Sequence, residues 1–185
     1  MTVVVEPASF SFVDFDAGEI ARITGQLLER IGLPADLDAR VEVNERSPLG
    51  IAELRGMDPV LIYVESGALE DPKRPKQLSA TATADVLGRL LVQVSDRLDP
   101  AFGAPGLEEG LSLYQRVAWD TYAMGRLARM GYPAQRQRRL YHFRNCHGFS
   151  DVSDACFERL WSGEDLKWPD VVAASEQAAA PAVLA

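Results

Sequence analysis

The sequence predicts an α+β fold, a small mixed sheet of three or four strands with packed helices, followed by an all-helical C-terminal extension. Three observations carry this expectation. Short alternating or continuous apolar runs occupy residues 40–64, and a long amphipathic segment follows over residues 81–98. Beyond a Gly/Pro-rich break at residues 100–106, only helical periodicity remains. The expected organisation is an α+β half over residues 1–100 and a helical extension over 107–177 packed on it. A tail over 178–185 has little to pack and is expected to fray.

Taken in order, Thr2 to Val5 and Ser9 to Phe15 read as extended, the second run crowding Phe10, Phe12 and Val13. Asp16 and Glu19 have capping-box spacing, and the helix they start carries Ile20, Ile23, Leu27 and Ile31 on one face until Gly32 stops it. Arg40 to Asn44 alternates as a half-buried strand does, with Val41 and Val43 on one side. After a turn over residues 46–50, Ile51 to Arg55 forms a second short strand. Val60 to Val64 is continuously apolar, which predicts a central strand covered on both faces. Residues 66–78, with two prolines and several charges, predict a loop.

The helix over 81–98 places Val86, Leu87, Leu90, Leu91, Val94 and Leu98 on a wide apolar face. Asp85, Arg89, Gln93 and Arg97 repeat at four-residue intervals on another, and read as a solvated stripe with an Asp85–Arg89 pair worth ~0.3 kcal/mol. Four further helices are expected: residues 111–130 ending at Gly131, 133–146 ending at Gly148, 153–161 ending at Gly163, and a last one from about Pro169.

Composition limits the function classes. An apolar fraction of 47% and a charged fraction of 25% are those of a globular chain, and 185 residues bury a core without a disulfide or metal. Sixteen arginines against three lysines, with many Ala and Leu, suggest a high-GC bacterial source. A net charge of −8 speaks against nucleic acid as the default partner. The start of the chain has no secretory pattern, no apolar run reaches bilayer length, and two cysteines without an export signal read as reduced thiols. A cytoplasmic protein with no membrane contact is expected.

Between residues 10 and 98 the order of helix, "LP", strand "RVEVNE", "PLG" turn, strand, apolar strand "VLIYVESGALED", charged loop and long helix resembles the compact bacterial zincin-like metallopeptidases. The resemblance implies a zincin-like layout. In that family the long helix carries H-E-x-x-H, two imidazoles binding zinc and a glutamate activating its water. The corresponding helix here, "TATADVLGRLLVQVSD", has neither His nor Glu. The resemblance therefore implies a kept fold without zinc chemistry and carries over no catalytic residue.

Three constellations remain. All His and Cys residues fall within fifteen positions, as His142, Cys146, His147 and Cys156, matching a four-ligand zinc site in number. Only His142 and Cys146 stand one helical turn apart, no C-x-x-C is present, and Cys156 reads equally well as a small core residue. Asp120 falls in the apolar stripe Leu113, Val117, Met124, Leu127, as a pocket carboxylate, a structural ion pair, or a residue displaced when Thr121 turns inward. Arg136, Arg139 and Arg144 interleave with Tyr141, Phe143 and Phe149, a pattern that suits phosphates and bases or a solvated basic helix beside the fourteen acids of residues 1–75.

The leading expectation is a non-catalytic binding or interaction protein with a protein partner or homo-oligomer, no cofactor and no assigned catalytic residue. Trp119, Trp161 and Trp168 are candidates for its interface or for the core. One alternative is a metal-binding protein or enzyme built on the His/Cys cluster, with zinc. The other is a nucleic-acid-associated protein using residues 136–144.

Overall fold

The computed structural model describes residues 2–179. It is an α+β protein, with a four-stranded, mostly parallel sheet and its helices followed by an all-helical C-terminal region. The chain divides into two compact units, Met1–Ser95 and Asp96–Ala185.

In the first unit β1 (Thr2–Glu6) and β2 (Asp38–Asn44) run parallel, and the connection between them contains α1 (Ala17–Ile31). Parallel neighbours require such a crossover, because a hairpin turn cannot return the chain to the same end of the sheet. β4 (Val60–Glu65) lies parallel to β2, and β3 (Ala52–Met57) is antiparallel to β4, giving the order β1-β2-β4-β3. The register aligns Val5, Val41 and Ile62 across three strands, and all three are buried. α1 lies against β1 and buries Ile20, Ile23, Leu27 and Leu28.

Several local expectations change here. Asp16 caps α1 by accepting from the Gly18 N–H at 2.8 Å, but Glu19 turns away and forms an ion pair with Arg22 at 2.6 Å. An opposite charge three residues on wins over the cap backbone, so only half of the capping box forms. Residues 9–15 are not a strand; they bend, with one isolated bridge between Asp14 and Gln77. β4 is central as expected but alternates, with Val60, Ile62 and Val64 buried and Leu61 and Tyr63 half-buried, so one face is only partly covered. On that second face the Arg55 guanidinium sits 3.5 Å from the Tyr63 ring centroid. The expected loop over 66–78 holds a 3-10 turn at Ser66–Ala68 and a two-stranded ribbon of β5 (Glu70–Asp71) and β6 (Arg74–Leu78).

α2 (Ala80–Leu98) corresponds to the expected long helix, and its last three residues belong to the second unit. Leu87, Leu90, Leu91 and Val94 are buried as expected, and so is Val92. Leu98 is exposed instead. The polar stripe is not solvated: Gln93 is buried, and Asp85, Arg89 and Arg97 are half-buried.

The second unit continues through α3 (Leu113–Arg129), α4 (Arg136–His147), α5 (Asp151–Ser162) and α6 (Trp168–Ala179). α3 starts with a complete capping box: the Gln115 N–H donates to Ser112 Oγ at 3.2 Å, and the Ser112 N–H donates to Gln115 Oε1 at 3.0 Å. Phe102, Val117, Trp119, Tyr122, Phe143, Phe157, Leu160 and Val171 form one core, with Trp161 and Trp168 packed against it. The three tryptophans thus work in the core of their own unit. Of the expected frayed tail, Ala178 and Ala179 close α6, and residues 180–185 lie outside the described residues. Among the described residues no helix is long and apolar enough to cross a membrane.

Close approach in this unit depends on Gly125 of α3, where an added Cβ would stand 2.1 Å from the Trp161 carbonyl oxygen of α5. Alanine is a better helix former than glycine by about 1 kcal/mol, but a methyl group on backbone at that distance has no rotamer to escape through. Gly125→Ala is therefore expected to lower unfolding free energy in urea by ~1–3 kcal/mol net. Gly110→Ala, where a Cβ meets nothing within 4 Å, should leave it near the native value.

Candidate functional site

The second unit exposes several large apolar side chains. Leu113, Tyr114, Tyr141, Phe149 and Val152 are exposed, Tyr141 by 61% and Phe149 by 65%. They come from the start of α3, the middle of α4, the α4–α5 turn and the first turn of α5. Tyr141 and Phe149 meet edge-on with centroids 6.1 Å apart, and Tyr114 stands 5.3 Å from the His147 ring. His147 leads through Gly148 to Phe149. Gly148 has φ +108°, a conformation L side chains rarely adopt, and through it the chain leaves α4 with Phe149 facing solvent.

Beneath this surface His147 is buried. Its ring stacks on Phe143 at 4.0 Å, with Nδ1 3.3 Å from the Phe143 carbonyl and Nε2 3.4 Å from Ser175 Oγ of α6. Burial holds its pKa below the usual imidazole value, partly offset by backbone contacts to Phe143 and Tyr114, and His142 on the same helix adds to the lowering.

At the other side of the unit, Asp96 is 3% exposed. It accepts from the Trp119 indole N–H at 2.7 Å and pairs with Arg126, two turns further along the same face of α3. Arg97 lies over the Trp119 ring at 4.4 Å. Burial pushes the Asp96 carboxyl up, while Arg126, the Trp119 hydrogen bond and Arg97 pull the other way.

The residues singled out in the sequence separate into different surroundings. His142 is exposed, Cys146 half-buried, and His147 and Cys156 buried. Among the described residues no group of three or more His, Cys, Asp or Glu is placed to hold a metal ion. His147 spends its ring nitrogens on Phe143 and Ser175, and Cys156 packs in the helical core. Burial raises the pKa of both thiols, which keeps them from the thiolate form that nucleophiles and metal ligands need. At the Asp120 position it is Thr121 that turns inward, with its hydroxyl donating to the Val117 carbonyl at 2.8 Å, and Asp120 is half-buried. Arg136 pairs with Glu158 and Arg144 with Asp154, both acids of α5, and Arg139 is half-buried on α4. In the first unit an open hollow of about 410 Å³ is lined by Asp14, Asp16, Glu19, Gln77, Leu78 and Ala80. Two of its acids are already engaged, Asp16 by the helix cap and Glu19 by Arg22.

Sequence reasoning missed Asp96 and the exposure of Tyr141 and Phe149. Asp96 follows Gly88 and Val92 at four-residue steps, and both of those are buried, so a wider apolar face on α2 would have found it. Phe149 follows a glycine at a helix end, a position whose exposure depends on a backbone angle that spacing does not reveal.

No protein-family model matches the chain, and no solved structure does. Among curated proteins, the chain is 36% identical over 86 residues to cryptochrome-1 of Mus musculus. The match covers 43% of this chain and 14% of that protein, so the chain spans about a seventh of the relative's length. This overturns the resemblance of residues 10–98 to zincin-like metallopeptidases: the similarity found is to cryptochrome-1. Helix-strand-strand-strand-helix order is shared by unrelated folds, and without H-E-x-x-H nothing more specific supported it.

Two outcomes test this geometry. Asp96→Ala strands the Trp119 N–H and the Arg126 charge, and should cost ~3–5 kcal/mol in denaturant unfolding, with a shifted Trp fluorescence maximum. His147 has a folded pKa below its unfolded value, so the unfolded chain takes up the proton first and stability falls as pH drops below about 6.5. Melting temperatures followed from pH 8 to 5 should show that loss, and His147→Gln should flatten it.

Proposed function

We propose that this chain is a non-catalytic binding protein that takes a protein partner on the aromatic surface of its helical unit. The observation that carries the reading is the exposure of Tyr141 and Phe149 in mutual contact, with Val152, Leu113 and Tyr114 exposed nearby in the same unit. Scattered single apolar residues are ordinary on protein surfaces, whereas a cluster containing two touching aromatic rings suits an interface anchor. A reduced, cytoplasmic setting belongs to the same reading and is supported by two cysteines that are both free thiols.

The arginine segment supports a nucleic-acid role less well. Arg136 and Arg144, two of the three residues assigned to phosphates, already hold carboxylates of α5. The His/Cys cluster does not converge.

The test places a photo-crosslinking side chain at Phe149, identifies the captured protein, and repeats binding with that protein purified. Tyr141→Ser with Phe149→Ser should abolish binding while changing unfolding free energy by no more than ~0.5 kcal/mol per site, as expected for exposed positions. Undiminished binding by this folded double variant would sink the reading.

A further inference from the structure

We infer that the β1 edge of the four-stranded sheet pairs with the same edge of a second copy of this chain, β1 against β1, antiparallel about Val4. This edge belongs to the first unit, so the inference is independent of the aromatic surface. In the order β1-β2-β4-β3 both end strands have one side without a neighbour. Every second residue of an end strand turns its N–H and carbonyl away from the sheet, and such a row is a template for a further strand. Among the described residues β1 pairs with β2 alone, and no other hydrogen bond reaches the main chain of residues 2–6.

The ends of the sheet differ in how they meet solvent. β3 is broken by a register shift between Leu54 and Gly56, and its exposed Glu53 and Arg55 pair at 3.1 Å. β6, in the ribbon, carries Arg74, Pro75 and Lys76. Bulges, charges and proline are what keep an edge from pairing. β1 has none of these before its last position: Thr2-Val3-Val4-Val5-Glu6 runs in unbroken register with β2, and Glu6 is its one charge. Three consecutive β-branched residues also favour a pleated strand.

The pattern of β1 commits it to a copy of itself. Antiparallel pairing about Val4 sets Thr2 opposite Glu6, Val3 opposite Val5, and Val4 opposite Val4. Val3 and Val5 then extend the apolar face on which α1 lies. On the other face the two Val4 side chains, each 41% exposed, cover one another. A parallel arrangement would instead set Glu6 beside Glu6. A second copy also brings its strand already ordered by β2, whereas an extended segment of another protein must first give up its backbone freedom. The contact is small. Five residues a side fall short of the roughly 1,600 Å² of a standard interface, so the dimer forms reversibly and at high concentration.

Sedimentation velocity of the full chain, from low micromolar to near-millimolar concentration, should show the mass rising from one chain toward two. Val4→Lys sets like charges across the two-fold axis at an exposed position, and should weaken association by roughly tenfold with native-like urea unfolding. Val4→Glu should do the same, and an equimolar mixture of the two variants should associate again because opposite charges then meet. Thr2→Glu should weaken association by about threefold and Thr2→Lys should strengthen it, since each copy sets residue 2 against Glu6. These two decide the matter if a Val4 variant does not fold. A mass of one chain at every concentration overturns the inference. So does association that the Val4 and Thr2 variants leave unchanged; if Tyr141→Ser with Phe149→Ser removes it, the copies meet on the aromatic surface instead. Loss in both Val4 variants without recovery in their mixture overturns the two-fold register, and with it the inference.

Discussion

The helical unit is organised around one buried carboxylate. Asp96, from the last turn of α2, holds the Trp119 indole and the Arg126 guanidinium of α3 at the same time. Trp119 in turn stacks near Phe102 at 6.0 Å and meets Trp168 of α6 at 4.9 Å. The main chain repeats the link, with the Trp168 N–H donating to the Phe102 carbonyl at 2.9 Å. A carboxylate taken from water is costly unless every partner is in place, and this one fixes the rotation of α3 about its axis as it is satisfied. With α3 so oriented, Gly125 faces α5, and Tyr122 reaches the 164–166 turn, where its hydroxyl donates to the Glu164 carbonyl at 3.0 Å. α3, α5 and α6 are thereby set before α4 is considered.

How much of this was legible depended on whether the signal was local. α1 could be read from Asp16, its apolar stripe and Gly32, because cap, period and stop all lie within its own sequence. The central place of β4 followed from its apolar run, but its alternating burial did not, since coverage of the second face depends on what packs there. The stripe Asp85, Arg89, Gln93, Arg97 misled for the same reason: a helix pattern names its polar face without saying whether that face stays in water. In the candidate site, Phe143 and His147 lie one helical turn apart and both turn inward, whereas a count of His and Cys residues makes His147 a metal ligand; the positions of Tyr141 and Phe149 relative to one another depended on Gly148. The similarity to cryptochrome-1 could not be read from element order at all.

The arginines show how composition and placement differ. A segment with four of them in nine residues invites a reading in terms of external anions. In the folded unit Arg136 and Arg144 clamp α4 to α5, Arg159 pairs with Asp170 of α6, and Arg129 donates to the Trp161 and Gly163 carbonyls at the end of α5. The last of these supplies cations to carbonyls that a helix end leaves unpaired. Much of the positive charge is thus employed inside the helical unit.

α4 is the element least able to stand alone. It lacks an N-terminal cap, starts with arginines, and buries fully only Phe143 and His147. Its attachment combines ion pairs of Arg136 and Arg144 with the buried Phe143 and His147 rings and the partly buried Leu140 and Cys146, where α3 contributes a whole apolar face. Such a helix detaches at a smaller free energy than the unit as a whole unfolds, and its amide hydrogens should trade with solvent through that local opening. The surface that the aromatic rings form is therefore not a fixed plate. Tyr141 rides on this helix, so whatever settles on that ring also quiets the local opening.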